Sequence, residues 1–201
     1  MKTLLNVKWG IFIIATLGLT STLVQAQTTA NGPYYATPSW DQTLPSSTRF
    51  IVLSNMNNDA VLDRETGLVW ERAPTGSGTW SAMTSRCLGL KTGGRYGWRL
   101  PIAQELASLL DTGFVANEDP TVNSGPPLPA GHPFIGIPGI PAFTFYWTAT
   151  SFDEDPNFAR EVFWGGQPNA PFFAVSITQI APKTGSARGW CVRGGLQPAP
   201  Q

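Results

Sequence analysis

Two cysteines, Cys87 and Cys191, are the only ones among 201 residues, and they lie far apart in the chain. If they pair, they close a loop of about 100 residues, which on chain-entropy accounting stabilises a fold by about 4–5 kcal/mol. Pairing needs an oxidising compartment; the alternatives are two free thiols or a bridge between chains. Two distant cysteines and a single histidine, His132, are too few to build a structural metal site. No metal and no cofactor is expected.

The N-terminus points to the compartment. Lys2 and Lys8 supply a positive start, residues 9–19 (WGIFIIATLGL) an apolar run, and Val24-Gln25-Ala26 the small residues that a signal peptidase reads. Residues 1–26 therefore read as a signal peptide cleaved before Gln27, with an uncleaved anchor as the alternative. The run is shorter than the roughly 20 residues that a membrane helix needs, and no later stretch is apolar enough, so no membrane span is expected. The mature chain is expected to be periplasmic, outer-surface or secreted.

Without the leader, 11 cations face 13 carboxylates, a net charge of about −2. That balance excludes nonspecific attraction to nucleic acid. Charged residues make up 13% of the chain, about half the usual share, while Gly, Pro and Trp are abundant. The mixture suits a loop-rich β or α+β domain more than a helical bundle. Residues 27–48 are polar and aperiodic, a spacer; 49–195 carry the domain; 196–201 form a tail.

Within the domain, short β-type runs at 49–54, 60–63 and 67–71 predict a meander, with a turn at 55–59. A helix follows over 79–90, where Trp80, Met83, Cys87 and Leu88 make one stripe and aim Cys87 inward. A second helix is predicted within 98–113, with Pro101 in its first turn, Gly113 as its stop, and Ile102, Leu106, Leu109 and Leu110 on its buried face. Residues 117–143 hold seven prolines in a long loop. Further strands are expected at 145–150, 159–164, 172–177 and 189–194. The pair 159–164 and 172–177 forms a hairpin in which Phe173, Val175 and Ile177 alternate with smaller residues.

Five motifs occur in order: GLVWER (67–72), a Trp-containing helix ending in Cys87, GWRLP with Glu105-Leu106 of its helix (97–106), YWTATS (146–151) and WCVRGG (190–195). Together they resemble the C-terminal domain of Legionella collagen-like adhesins, over residues 58–195. The resemblance implies an extracellular α+β domain of C-type-lectin-like architecture, related also to formylglycine-generating enzymes. It would have two helices packed on short antiparallel strands, a long Pro-rich loop, and a Cys87–Cys191 bridge tying the fold together. It also implies binding of sulfated glycosaminoglycan. The trimeric avidity of the collagen-like adhesin is not implied, because no Gly-X-Y array is present.

Among the motif residues, Trp98, Arg99, Pro101, Glu105, Trp190 and Arg193 read as structural, with Trp98 in the core and Arg99 paired to a carboxylate such as Glu105. Arg86, Lys91, Arg95 and Arg99 fall within fourteen residues, beside Tyr96 and Trp98. Arginine binds sulfate and carboxylate bidentately, and aromatic faces suit sugar rings, so Arg86, Lys91, Arg95 and Tyr96 form the candidate anionic-glycan site. The plainer reading has Arg86 and Lys91 solvating a helix.

Residues 153–157 (DEDPN) with Gln167-Pro168-Asn169 resemble the calcium-bound sugar site of C-type lectins. The Trp-Asn-Asp partner is missing, however, and the chain there reads Lys183-Thr184-Gly185-Ser186. Residues 55–63 resemble a calcium loop but have Ala60 where glycine is required. No nucleophile elbow, zincin or phosphate-loop motif occurs, and the redox cysteine pair of formylglycine-generating chemistry is missing. A paired-carboxylate glycosidase leaves no signature in sequence. The sequence reading is an exported, non-enzymatic binding or adhesion module for a sulfated or carboxylated polysaccharide or a surface protein. Its rival is a structural domain of a surface or pilus-associated assembly without a small ligand.

Overall fold

Strand β1 (Phe50–Val52), β2 (Ala60–Asp63) and β3 (Leu68–Glu71) form the expected antiparallel meander. The structure is a computed structural model, describing residues 44–111, 125–139, 143–164 and 176–195, with backbone alone at 176–178. The signal peptide, most of the spacer, Phe173, Val175, Gly113, the 167–169 triplet and the tail lie outside the described residues. Beyond β3 the sheet continues through β10 (Val192–Arg193) to β5 (Trp98–Arg99), both antiparallel.

Every residue of β2 and β3 is buried, because this sheet has a hydrophobic cluster on each face. Alternation divides them: Val61, Leu68 and Trp70 enter one cluster, Ala60, Leu62 and Val69 the other. A second sheet runs β4 (Ser77–Gly78), β9 (Ala187–Arg188), β6 (Thr144–Ser151), β7 (Phe158–Trp164) and β8 (Ser176–Pro182). It contributes Tyr146, Val162 and Trp164 to the first cluster, and Trp147 and Ala159 to the second. Among the described residues the fold is thus mixed α+β, with two five-stranded sheets and three helices. β6 and β9 pair in parallel, a departure from the expected all-antiparallel strands.

Trp190 centres the first cluster. Its ring lies 5.0 Å from Phe134, 5.3 Å from Trp164 and 5.7 Å from both Trp70 and Tyr146, at tilted or edge-on angles that aromatic quadrupoles favour. Phe134 and Leu128 come from the Pro-rich loop, so that segment packs part of the core.

Helix α2 spans Trp80–Gly89, and the Thr79 side chain accepts the Ala82 N–H at 3.3 Å as its N-cap. Met83 and Cys87 are buried as predicted, but Leu88 is 63% exposed. One residue beyond Cys87 lies about 100° further round a helix, outside a stripe as narrow as this one.

The second helix is much shorter than predicted. Trp98–Arg99 is a strand, and α3 covers Ala103–Ala107 alone. Proline disfavours helical backbone in the residue before it, so Pro101 keeps Leu100 out of the helix. Glu105 accepts the Ile102 N–H at 2.9 Å and sets the start. Ser108 Oγ donates to Glu105 O at 2.7 Å at the other end, a side-chain bond that competes with a further helical turn. Leu106, Leu109 and Leu110 are still buried, while Ile102 is half-buried.

Three other boundaries move. The fold includes residues before Arg49: Leu44 N–H bonds the Glu65 carboxylate, and α1 (Ser46–Arg49) leads into β1. Arg49 is buried, bidentate on Asp63 at 2.8 and 2.9 Å, and donates to Ser108 O at 2.6 Å. The partner of β7 is antiparallel, as expected, but its described part begins at Ser176 and runs to Pro182. The run at 189–194 is not one strand: β9 ends in the second sheet, and residues 189–191 cross to β10 in the first. Gly189 permits the crossing, since a Cβ there would come within 3.1 Å of Met83 Sδ.

Candidate functional site

Arg99 centres a buried network in which every guanidinium nitrogen but Nε has a partner. Its Nη1 and Nη2 donate to the two carboxylate oxygens of Glu105 at 2.7 and 2.6 Å, Nη2 also to Gly194 O at 2.8 Å and Nη1 to Leu100 O at 3.1 Å. This is the pairing expected from sequence. Gly195, at φ +75°, packs on the pair; a Cβ there would meet Leu68 Cδ2 at 2.8 Å, Glu105 Oε1 at 3.0 Å and Arg99 Nη2 at 3.1 Å. Trp98 and Trp190 are buried, Trp190 Nε1 donating to Glu71 O at 2.8 Å, and Pro101 O accepts the Ala149 N–H at 2.7 Å.

Cys87 and Cys191 are bonded, with Cα atoms 5.4 Å apart, linking α2 to the segment entering β10. Arg86 belongs to this joint and not to an exposed patch. Its Nη1 and Nη2 grip the two oxygens of Glu71 at 3.1 and 2.5 Å, and Nη1 also lies 2.9 Å from Cys191 Sγ. Glu71 ends β3 and is itself buried, so it needs a cation; from sequence, helical position alone gave no sign of this partner fifteen residues away.

Lys91, Arg95 and Tyr96 do come together, on the loop from α2 to β5. All three are exposed, and Lys91 Nζ lies 5.3 Å from the Tyr96 ring centroid, within cation–π range. The loop is pinned from below. Trp98 Nε1 donates to Arg95 O at 2.9 Å, and Arg193 Nε to Tyr96 O at 2.7 Å. Gly93, at φ +62°, touches Met56 so closely that a Cβ would stand 2.4 Å from Met56 Cβ.

The other candidates disperse. In the acidic turn, Asp155 Oδ1 accepts both the backbone N–H and the side-chain amide of Asn157, at 2.8 and 3.0 Å. Among the described residues no group of three or more His, Cys, Asp or Glu is placed to hold a metal ion, and no helix is long and apolar enough to cross a membrane. Residues 55–59 form a turn in which Asn57 and Asn58 adopt left-handed backbone at φ 56° and 59°. His132 stacks on Phe134 at 5.9 Å, and burial lowers its pKa.

Sequence reading missed two features. Glu161, buried in the middle of β7, has its carboxyl pushed up to about 7 by burial. A cleft of about 230 Å³ is lined by Asn58, Asp59, Glu71, Arg72, Ala73, Thr92 and Ile135, from segments too far apart for a motif to reveal. A family model, the Lcl C-terminal domain, matches residues 59–193, and the chain belongs to that family. No curated protein matches it.

Proposed function

We propose, with membership of the Lcl C-terminal domain family as premise, that this is an exported, non-enzymatic binding module that recognises a sulfated or carboxylated polysaccharide through loop 91–97. The observation that carries the reading is Lys91 held over the exposed ring of Tyr96, with Arg95 exposed on the same pinned loop. Arg49, Arg86 and Arg99 spend their charge on buried carboxylates, whereas these two cations pair with no carboxylate among the described residues. A preformed site loses little entropy on binding, and a local cationic patch attracts a polyanion despite a slightly acidic chain, since charges beyond about 10 Å are screened. A C-type-lectin-like relationship is the finer reading of the fold, supported by the bridge from α2 to the C-terminal strand segment.

Heparin chromatography of the exported chain tests the function. The wild type should elute at clearly higher salt than Lys91→Ala/Arg95→Ala, and chelator should change neither. Equal elution at low salt would leave the loop a solvated face and favour a structural role in a surface or pilus-associated assembly.

A further inference from the structure

We propose that the cleft between the Asn57–Asn58 turn, Arg72, Thr92 and Ile135 is a binding site for a single neutral sugar ring. Four segments build its walls, and each is tied down. Arg72 N–H donates to Asp59 O at 2.9 Å, its Nη1 to Asn58 O and its Nε to Pro133 O, both at 3.1 Å, and Ile135 N–H to Arg72 O at 2.9 Å. Thr92 is held by the neighbouring contact of Gly93 with Met56. Asn58 keeps left-handed backbone that an L-residue adopts at a cost, the kind of local strain that concentrates at binding sites.

The lining chooses the ligand class. Its volume of about 230 Å³ is below the range of drug-sized pockets, so the part of a ligand seated in it is about one small ring. Glu71 is neutralised by Arg86, and the other two charged residues of the lining, Asp59 and Arg72, are opposite in sign, so the lining carries no net formal charge. Calcium would need six or more oxygen ligands, and Asp59 is the one carboxylate of the lining not already paired. Arg72 has committed Nε and Nη1 to carbonyls, which leaves Nη2 without a partner among the described residues. The N–H groups of Nη2 remain as donors that a ring hydroxyl can accept from. The side chains of Asn58, Asp59 and Thr92 likewise make no hydrogen bond among the described residues, and they supply donors and acceptors for adjacent hydroxyls. Ile135, 52% exposed, offers an apolar wall for the C–H face of a ring.

Thr92 follows Lys91 directly, so the cleft adjoins the cationic loop. The site deepens the polysaccharide reading in that the polymer gripped by the loop would present the ring, and it is tested separately. The experiment is an amide-resolved NMR titration of the full exported chain with the methyl glycosides of glucose, galactose and mannose up to about 20 mM, which saturates a millimolar Kd. Glycerol serves as a control polyol without a ring. At least one glycoside should shift Asn58, Asp59, Arg72 and Thr92, and glycerol should not. Asp59→Ala and Ile135→Ser should each weaken binding, Asp59→Ala by about tenfold, while leaving heparin elution unchanged. Lys91→Ala/Arg95→Ala should lower heparin elution and keep the sugar shifts. No shift with any glycoside, shifts confined to Lys91 and Tyr96, or full binding by both cleft variants would overturn the proposal. Loss of heparin binding by itself would count against the loop alone.

Discussion

The guanidinium of Arg86 lies with Nη1 2.9 Å from Sγ of Cys191, across 105 residues of chain. The same group holds both oxygens of Glu71, so α2, β3 and the approach to β10 meet at one half-buried ion pair beside the disulfide. Removing Arg86 would leave a buried carboxylate unpaired. Arg86→Ala should therefore destabilise by about 2–3 kcal/mol, whereas exposed Lys91→Ala should cost less than about 0.5 kcal/mol. Urea denaturation of the two variants checks the contrast. Equal midpoints would mean that Glu71 finds water when Arg86 is gone.

The bridge itself should be present in the native protein and resist alkylation until reduced. Replacing Cys87 and Cys191 together by alanine should cost about 2–5 kcal/mol, because the unfolded chain regains the freedom of a long loop. Intact mass with and without reduction decides the first point, and thermal unfolding the second. Two thiols labelled under native conditions would disprove the pairing.

Arg99 and Glu105 are both buried and bidentate, and backbone carbonyls satisfy further donors of Arg99. Arg99→Ala should cost about 3–5 kcal/mol, as expected when one partner of a buried pair is removed. Arg99→Lys should rescue only a part, since a lysine cannot reproduce the fork. Gly195→Ala should act on the same pair by crowding it and by its positive φ. Circular dichroism melts of the three variants give the order, and an unperturbed Arg99→Ala would refute the structural role.

Glu161 makes stability depend on pH. It faces Trp147 on β6 and Gln179 on β8, neither of which carries a charge. Its folded pKa, about 7, lies above the unfolded value of 4.5, so the folded state holds the proton more tightly. The stability it contributes is complete below pH 4.5 and is lost as pH rises through 7. His132 runs the other way: its lowered pKa means stability present above 6.5 and lost as pH falls. The difference between wild type and Glu161→Gln isolates the first effect. Urea midpoints should show the variant gaining on the wild type from pH 4.5 to pH 7, and parallel curves would contradict the assignment.

The amino-acid sequence alone determined whatever rests on local periodicity or short separation. The meander of β1 to β3, the inward aim of Cys87 from α2 and the Arg99–Glu105 pair are of this kind, as each depends on residues a few positions apart. Five short motifs in register also sufficed for the family, because order and spacing survive in the chain itself. Tertiary structure alone decided whether a cation is free or spent. Arg86 and Lys91 look alike on paper, but only Arg86 has Glu71 beside it, brought there from another element. The exposure of Leu88 depends on how narrow a stripe of α2 is covered. The crossing at 189–191 depends on Met83 packing against Gly189, and the cleft on four segments meeting at Arg72. A pattern along the chain records which residues can be buried; which partner reaches them is set by packing between segments that the pattern does not order.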